Sequence, residues 1–312
     1  MLIHPGNHLG DSWYYVDGST MHCFYLTCPE SVNRHEAWDI GHATSTNLVD
    51  WDIHRLALHK GEPGTYDGRC PATGSVLRFN DCYWLAYTGN WNGPQPTVAL
   101  AVSDDLYHWE KLANNPVTSI DPAYYDAEPA PPPRDWLHWR DPFLFEYEGQ
   151  VYHYVCAKRN DVPMDQRGTL GMARTSDMGH WEVLPPPDVE SIAMELECPQ
   201  VHAVDDRYYL VFSTAISLFS NVFRASHFAS GERWSSYAMV GPTPFGPFRI
   251  HGDGQIIPPD YSLQPYANQV VFWQGQAYLL GTVWNEEQDF ICDPIPLDFS
   301  ETGVKIRETS MR

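Results

Sequence analysis

The sequence predicts an all-β protein, a five-bladed β-propeller whose blades are four-stranded antiparallel sheets. A segment ending in Trp recurs three times, and a hairpin of alternating aromatic and polar residues precedes each copy. Helix-length amphipathic segments are not evident. We therefore expect a single propeller domain over residues 1–312.

The recurring segment reads GHATSTNLVDW (41–51), ALAVSDDLYHW (99–109) and GMARTSDMGHW (171–181), and the copies align without gaps. Each copy holds a Ser or Thr, then an Asn or Asp, then Leu or Met. An Asn or Asp side chain can bond the backbone two residues later, so each copy predicts a strand, a turn and a strand. One Trp per copy at a fixed offset indicates packing between blades. These residues are Trp51, Trp109 and Trp181.

Five units of this kind can be counted along the chain. The hairpins ahead of the three copies are WYYVDGSTMHCFYL (13–26), GSVLRFNDCYWLAY (74–87) and PFLFEYEGQVYHYV (142–155). A fourth unit starts at CPQVHAVDDRYYLVF (198–212) and continues through NVFRASHFASGERW (221–234), and a fifth runs from NQVVFWQGQAYLLG (268–281) to FICDPIPLDF (290–299). One four-stranded sheet cannot bury both faces unless neighbours stack on it, so five units imply five blades.

The charge balance narrows the range of partners. The chain has 19 Lys and Arg against 40 Asp and Glu, a net charge of −21, and the acids are spread along its length. This argues against nucleic acid and against anionic membranes as partners, and it suits a small neutral oligosaccharide. No apolar run approaches the roughly 20 residues that cross a bilayer. Homo-oligomerisation is compatible with this composition.

The cysteines point to a reducing compartment. There are seven, an odd number, and they fit no metal-binding spacing. We expect buried, reduced thiols and no metal or cofactor. The opening MLIHPGNHLGD lacks the basic and apolar regions of a signal peptide, so the predicted location is cytoplasmic.

Three acids open predicted innermost strands, which line the central channel of a propeller. They are Asp11 in LGDSWYY, Asp141 in WRDPFLF and Glu197 in ELECPQVH. Clustered carboxylates repel one another and are costly to desolvate, which favours a function for them. We expect Arg140 to hold Asp141 ionised, and the two other acids to raise the pKa of Glu197. Glycoside hydrolysis needs one ionised and one protonated carboxyl. Spacing alone also allows these acids to be ordinary turn or surface residues.

Several motifs, in order, resemble those of glycoside hydrolase family 32, the invertase and inulinase family, in the clan shared with families 43, 62 and 68. GHATSTNLVDW is followed by ALHK (57–60), as in that family's first blade. The other matching motifs are TGS (73–75), WRDP (139–142), ECP (197–199) and YANQ (266–269). The resemblance covers most of the chain and implies a five-bladed propeller. It also implies Asp11 as nucleophile, Asp141 as transition-state stabiliser and Glu197 as acid/base of a retaining enzyme without a cofactor.

The resemblance has departures. GDSWY (10–14) replaces the family's Asn-Asp-Pro-Asn-Gly, and Leu26 and Cys28 replace polar residues expected near the sugar. The fifth unit ends shortly before Arg312, so we expect no C-terminal β-sandwich of the kind that most of the family carries.

A second set of residues is predicted to bind substrate. Arg140 supports the acids, and tryptophans away from the repeat offset are candidate sugar platforms because aromatic faces stack on sugar C–H surfaces. Trp91 also lies away from the repeat offset. The predicted substrate-binding residues are Arg140, Trp13, Trp38, Ser75, Tyr266 and Trp284.

The leading functional hypothesis is a retaining exo-glycoside hydrolase acting on terminal β-fructofuranosides, or a similar furanoside, in short oligosaccharides. One alternative is an inverting arabinofuranosidase or xylosidase like those of family 43. Transfer of the fructosyl group to an acceptor sugar is another, since one glycosyl-enzyme serves both reactions. A sugar-binding propeller without activity is the non-enzyme alternative.

Overall fold

Segments of alternating aromatic and polar residues form five antiparallel sheets around one axis, which confirms the five-bladed propeller. The computed structural model describes residues 1–93, 95–129, 137–228, 231–285 and 287–307. In this part of the chain no helix is long and apolar enough to span a membrane.

The first two blades follow directly from the amino terminus. Blade one comprises β1 (Asn7–Asp17), β2 (Thr20–Pro29), β3 (Asp39–Ser45) and β4 (Asp52–Ile53). Blade two comprises β5 (Ala72–Phe79), β6 (Cys82–Gly89), β7 (Thr97–Ser103) and β8 (Glu110–Lys111), with β9 (Thr118–Ser119) paired to β7.

The remaining blades repeat this order. Blade three comprises β10 (Trp139–Tyr147), β11 (Gln150–Lys158), β12 (Gly168–Thr175) and β13 (Glu182–Leu184). Blade four comprises β14 (Glu197–Val204), β15 (Arg207–Ala215), β16 (Trp234–Gly241) and β17 (Arg249–Gln255). Blade five comprises β18 (Tyr266–Trp273), β19 (Gln276–Val283), β20 (Phe290–Ile291), β21 (Ile295–Ser300) and β22 (Gly303–Ile306).

Helical structure is short. A helix, α1 (Asn221–His227), lies between β15 and β16, where the sequence analysis recognised no helix. The Ser220 hydroxyl caps α1 by accepting a hydrogen bond from the Phe223 N–H at 3.3 Å. Seven residues are too few for a helical period to register in the sequence. Three 3₁₀ turns lie at Arg34–Glu36, Met164–Gln166 and Ile216–Leu218.

The repeated segments form the turns between the third and fourth strands of blades one to three. In blade one, the Asn47 side chain accepts a hydrogen bond from the Val49 N–H at 2.9 Å, two residues later, as predicted. The Ser45 hydroxyl accepts another from the N–H of Leu48 at 2.8 Å, and Leu48 has a φ of 64°. Blades two and three repeat these contacts, so side chains rather than glycine hold each turn in its left-handed conformation.

The ring of blades closes between its first and last parts. Each innermost strand packs against the innermost strands of the two neighbouring blades. At the closure, the backbone of Leu2 pairs with that of Ile291 through hydrogen bonds of 3.0 and 2.9 Å. The amino-terminal segment therefore joins blade five.

Every innermost strand carries an irregularity near its beginning. The register shifts between Leu9 and Ser12, Ala72 and Gly74, Arg140 and Phe143, Glu197 and Gln200, and Tyr266 and Gln269. Three of these bulges hold a residue with positive φ: Asp141 at 62°, Cys198 at 48° and Ala267 at 51°. A bulge redirects side chains that regular alternation would send to the sheet faces, and bulges are frequent beside active sites.

Candidate active site

The five bulges surround a cavity of about 290 Å³ on the propeller axis. The structure brings the three predicted acids, Asp11, Asp141 and Glu197, together in its wall. Four predicted substrate-binding residues also line it: Arg140, Trp38, Tyr266 and Trp284. The other lining residues are Gly10, Leu26, Arg34, Ala72, Thr73, Trp91 and Cys198.

Asp11 lies in the bulge of β1 and accepts hydrogen bonds from blade two and, across the axis, from blade four. The Thr73 hydroxyl donates to its Oδ2, and the Cys198 thiol donates to the same oxygen at 3.8 Å. Burial raises the pKa of Asp11 to about 6, and the charge of Asp141 acts in the same direction. At neutral pH the carboxyl is therefore mostly ionised and poorly solvated, which are the properties of an activated nucleophile.

Asp141 is fixed through both its backbone and its side chain. Its N–H donates to the Thr88 hydroxyl at 2.8 Å, and its Oδ2 accepts a hydrogen bond from the Cys198 N–H at 3.0 Å. Burial raises the pKa of Asp141, while Arg140 and the Cys198 N–H lower it. The sequence analysis named the arginine and not the burial, which has the larger effect.

Arg140 pairs with Asp141, as predicted, and also with two further acids. Its Nη2 donates to Glu197 at 2.7 Å and to Glu195 at 3.0 Å, whereas its Nε lies 3.7 Å from Asp141. Arg140 therefore pairs first with Glu197 and Glu195. The Tyr266 hydroxyl donates to the other oxygen of Glu197. Two donors thus hold the Glu197 carboxyl in one orientation.

Glu195 is a member of this buried charge cluster that the sequence analysis did not name. It is fully buried behind Arg140, and its Oε2 lies 3.6 Å from Nδ1 of His138, which is also buried. The segment ELE offered a signal: an acid two residues before Glu197 falls on the same side of an extended chain. Thr73 was also missed as a partner of Asp11, although the TGS motif contains it.

Two predicted substrate contacts require correction because their side chains do not line the cavity. Trp13 is only 1% exposed and stacks on Phe24 with ring centroids 6.5 Å apart, so it packs in the hydrophobic core. The buried Ser75 hydroxyl accepts a hydrogen bond from the Leu144 N–H at 2.8 Å. It therefore joins blade two to blade three.

One wall of the cavity is apolar where the family resemblance led us to expect polar residues. Leu26 lines it, while Cys28 is buried and does not. A Cβ on Gly10 would lie 2.9 Å from the Leu26 Cβ and 3.2 Å from the Trp38 ring. The sequence therefore places a glycine beside Asp11 because Leu26 and Trp38 occupy the space of a side chain.

Asp11, Asp141 and Cys198 could be considered as metal ligands, since their ligand atoms lie within 4.8 Å of one another. Burial raises the pKa of the Cys198 thiol well above its ordinary value, so it stays protonated and donates a hydrogen bond instead. Two carboxylates alone make an incomplete set for a cation. We assign the cluster no metal.

The chain is similar to known proteins in sequence and in fold. The chain is 28% identical over 205 residues to the sucrose-6-phosphate hydrolase of Escherichia coli, a match that covers 62% of this chain and 38% of that relative. The chain thus spans less than half the length of the curated relatives it matches.

The fold is shared with solved structures of low sequence identity. One is the inulosucrase of Halalkalicoccus jeotgali bound to kestose, with a TM-score of 0.71, 19% identity and coverage of 98% of this chain and 90% of that one. Another is the sucrose-6-phosphate hydrolase of Lactobacillus gasseri, with a TM-score of 0.71, 16% identity and coverage of 97% and 61%. The family model for the glycosyl hydrolases family 32 N-terminal domain matches residues 11–308. The chain belongs to glycosyl hydrolases family 32.

Proposed function

We infer that the protein hydrolyses terminal β-fructofuranosides. The observation that carries this inference is the meeting of Asp11, Asp141 and Glu197, from three different blades, in one cavity of a family 32 chain. The curated relatives are named sucrose-6-phosphate hydrolases, so sucrose and its 6-phosphate are the first substrates to test.

The reaction takes two steps. The Asp11 carboxylate attacks the anomeric carbon while Glu197 donates a proton to the departing oxygen, which gives a covalent fructosyl-aspartate and a free alcohol. Glu197, now a carboxylate, then removes a proton from water. The resulting hydroxide equivalent displaces Asp11 from the anomeric carbon, so configuration is retained and both carboxyls return to their starting states.

Each role has support in the contacts. Asp11, with a pKa of about 6, is mostly a carboxylate at neutral pH. Asp141 is fixed by the Cys198 N–H and can stabilise positive charge that develops on the sugar ring. Arg140 and Tyr266 orient Glu197, whose part as proton donor remains a prediction. No cofactor has a part in these steps.

The cavity favours exo action. At about 290 Å³ it lies near the lower end of ligand sites in volume, which suits one terminal sugar. We place the reaction in the cytoplasm because all seven cysteines are free thiols, and six of them are buried.

Product analysis tests the proposal. Sucrose, sucrose 6-phosphate, inulobiose, levanbiose and arabino-oligosaccharides would be incubated with the wild type and with Glu197→Gln. We expect fructose from the fructosides, no arabinose, and a loss of about 10²–10⁴-fold in the variant. Release of arabinose would favour the family 43 alternative, and longer fructosides would indicate transfer. Binding of sugars without products from either protein would favour the non-enzyme alternative.

A further inference from the structure

One charged side chain in the wall of the axial cavity has no part in the proposed reaction. Arg34 lines the cavity together with Leu26, from β2, and Trp38, from the connection between β2 and β3 that also contains Arg34. The antiparallel pairing of β1 with β2 places this connection at the end of blade one where β1 begins. Asp11 lies near the same end of β1, so Arg34 and the nucleophile are at the same end of the blade.

A buried acid of blade five holds the Arg34 guanidinium. Asp289 lies between β19 and β20, and its Oδ2 is 3.2 Å from Nη1 of Arg34. The same oxygen is 3.2 Å from Nδ1 of His8 and 3.4 Å from the backbone nitrogen of Leu9. Asp289 is buried, whereas the Arg34 side chain is 27% exposed. The carboxylate therefore fixes one side of a guanidinium that reaches the cavity.

Most of the hydrogen-bonding capacity of Arg34 is unused. A guanidinium has five N–H donors in a planar arrangement. Among the described residues Asp289 is its one ion-pair partner, and no other side chain or carbonyl accepts a hydrogen bond from it. Because Arg34 lines the cavity, these donors are available to a bound molecule.

Other donors of the cavity are engaged with the acids. The Thr73 hydroxyl and the Cys198 thiol donate to the nucleophile, and two further donors hold the proposed acid/base. Leu26 contributes only apolar atoms to its wall. A furanose ring carries hydroxyls around its edge, and a hydroxyl that is removed from water without a partner weakens binding. Arg34 can supply the missing donor on the side of Leu26.

The position of Arg34 assigns it to the terminal sugar rather than to the leaving group. A second cavity, of about 680 Å³, adjoins the first, and Glu197 lines both. Arg34 and Asp11 line the first cavity only. In the proposed function, on which this inference rests, the attacked sugar contacts Asp11. The sugar that occupies the first cavity beside Arg34 is therefore the terminal one.

The ion pair also determines which chemical group suits Arg34. The charge of Asp289 offsets that of Arg34, so the pair presents N–H donors with little net charge. Such a pair suits a neutral hydroxyl better than an anion. We propose that Arg34 donates a hydrogen bond to a hydroxyl of the terminal fructofuranosyl unit and is a specificity-determining residue for that sugar.

Binding of 2,5-anhydro-D-mannitol, a furanose that matches β-fructofuranose without its anomeric hydroxyl, tests this without catalysis. The fluorescence of the cavity tryptophans would be titrated. Arg34→Met should raise the dissociation constant at least about ten-fold, because hydrogen bonds to charged groups are the stronger ones. Arg34→Lys, which keeps the charge but not the planar donors, should lose less.

Two further variants control this titration. Arg55→Met removes an equal charge from an exposed arginine that follows β4 and lies outside the cavity, so the dissociation constant should not change. Arg34→Met combined with Asp289→Asn leaves no unpaired buried carboxylate, so it should show the same loss as Arg34→Met if the single variant does not fold. No saturable binding to the wild type, or equal dissociation constants of the wild type and the Arg34 variants, would overturn the proposal.

Kinetics separate this inference from the proposed function. Sucrose, inulobiose and an aryl β-fructofuranoside share the terminal sugar and differ in the leaving group. Arg34→Met should therefore lower kcat/KM by the same factor, about ten-fold or more, on all three. If the wild type hydrolyses them and Arg34→Met is equally active, the function stands and the inference is overturned. If the wild type hydrolyses none, the function fails, and the titration alone decides on Arg34.

Two other results would contradict the proposed contact. Factors that differ more than about ten-fold among the three substrates would place Arg34 at the leaving group. Fructose 6-phosphate that binds the wild type about ten-fold more tightly than fructose, with this preference lost in Arg34→Met, would make Arg34 an anion contact rather than a hydroxyl contact.

Discussion

Two clusters of buried ionisable groups differ in the partners that offset the cost of burial. The axial cluster consists of Asp11, Arg140, Asp141, Glu195 and Glu197, and its acids are arranged around a guanidinium. The histidine cluster consists of His22, His42 and His54 in blade one. Its rings hydrogen-bond to each other or to a hydroxyl: His22 to His42 at 3.0 Å, and His54 to Thr44 at 2.8 Å.

The two clusters differ in charge, and this difference indicates different roles. Burial lowers the pKa of His22 to about 4 and of His42 to about 3, so the histidine cluster is neutral and packs under the ring of Tyr107 from blade two. The axial cluster keeps charge because Arg140 compensates it, and that charge faces a cavity. Buried charge is costly without such a partner. A neutral buried cluster thus serves packing, and a charged one serves chemistry.

The largest expected effect is at the nucleophile. Asp11→Asn keeps the size of the side chain but removes its charge, so kcat/KM on the preferred fructoside should fall by at least about 10³-fold. Thermal stability should hold or rise, because the repulsion from Asp141 disappears. Steady-state kinetics and a melting curve measure the two effects. More than a tenth of the wild-type activity would contradict the assignment of Asp11.

The next effect tests the charge compensation. Arg140→Met should destabilise the fold by about 3–5 kcal/mol and abolish activity, because Glu195 and Glu197 lose their cation inside the protein. Arg174→Met is the control, since its ion pair with Glu182 at 2.8 Å is exposed to solvent, and its loss should destabilise the fold far less. Urea denaturation measures the free energy of unfolding of both variants. Equal losses in the two would contradict the claim that Arg140 compensates buried charge.

A smaller effect is a shift in pH dependence. Only the carboxylate form of Asp11 attacks, so kcat/KM should fall as the pH drops through its pKa of about 6. The Thr73 hydroxyl lowers that pKa, so Thr73→Val should move the acid limb to higher pH, and Thr73→Ser should leave it in place. Profiles of kcat/KM against pH for the three proteins measure the shift. An acid limb that is the same in all three would contradict the role of Thr73.

The smallest effect concerns the histidine cluster. Its lowered pKa values mean that the unfolded chain binds protons that the folded chain does not, below the ordinary histidine value of 6.5. The free energy of unfolding should therefore decrease as the pH falls from 6.5 towards 4. His42→Phe should weaken that dependence and leave kcat at neutral pH unchanged, while His59→Phe, at an exposed position, should alter neither. Urea titrations at several pH values would show no difference between the variants if this account of the cluster is wrong.

The blade pattern was accessible from the sequence because local chemistry sets it. The turn of each repeated segment depends on a hydroxyl and an Asx side chain a few residues apart, and the structure contains those hydrogen bonds. The sequence analysis grouped Asp11, Asp141 and Glu197 by one rule, that residues opening an innermost strand face the axis. Glu197 does open β14, whereas Asp11 and Asp141 lie within β1 and β10, at their bulges. The short α1 was not accessible, since its cap at Ser220 stabilises a helix shorter than two full periods.

The rest of the site depends on contacts between blades. Trp13 and Trp38 looked equivalent in the sequence, yet only Trp38 lines the cavity. In a regular strand Trp13 would share a face with Asp11, but the bulge between Leu9 and Ser12 breaks that alternation. The pairing of Arg140 with Glu195 likewise joins blade three to the segment before blade four, over 55 positions. The bulge has no local sequence signal, and the segment ELE places Glu195 beside Glu197 without indicating Arg140 as its partner.

Identification of the residue that becomes covalently bound to the sugar tests the central claim most directly. An activated β-fructofuranoside needs little acid assistance, so Glu197→Gln should form the glycosyl-enzyme and hydrolyse it slowly. Rapid quenching, proteolysis and mass spectrometry should then find one hexosyl group on the peptide that contains Asp11. A hexosyl group on Asp141, or release of fructose with no covalent species at any time, would contradict the account.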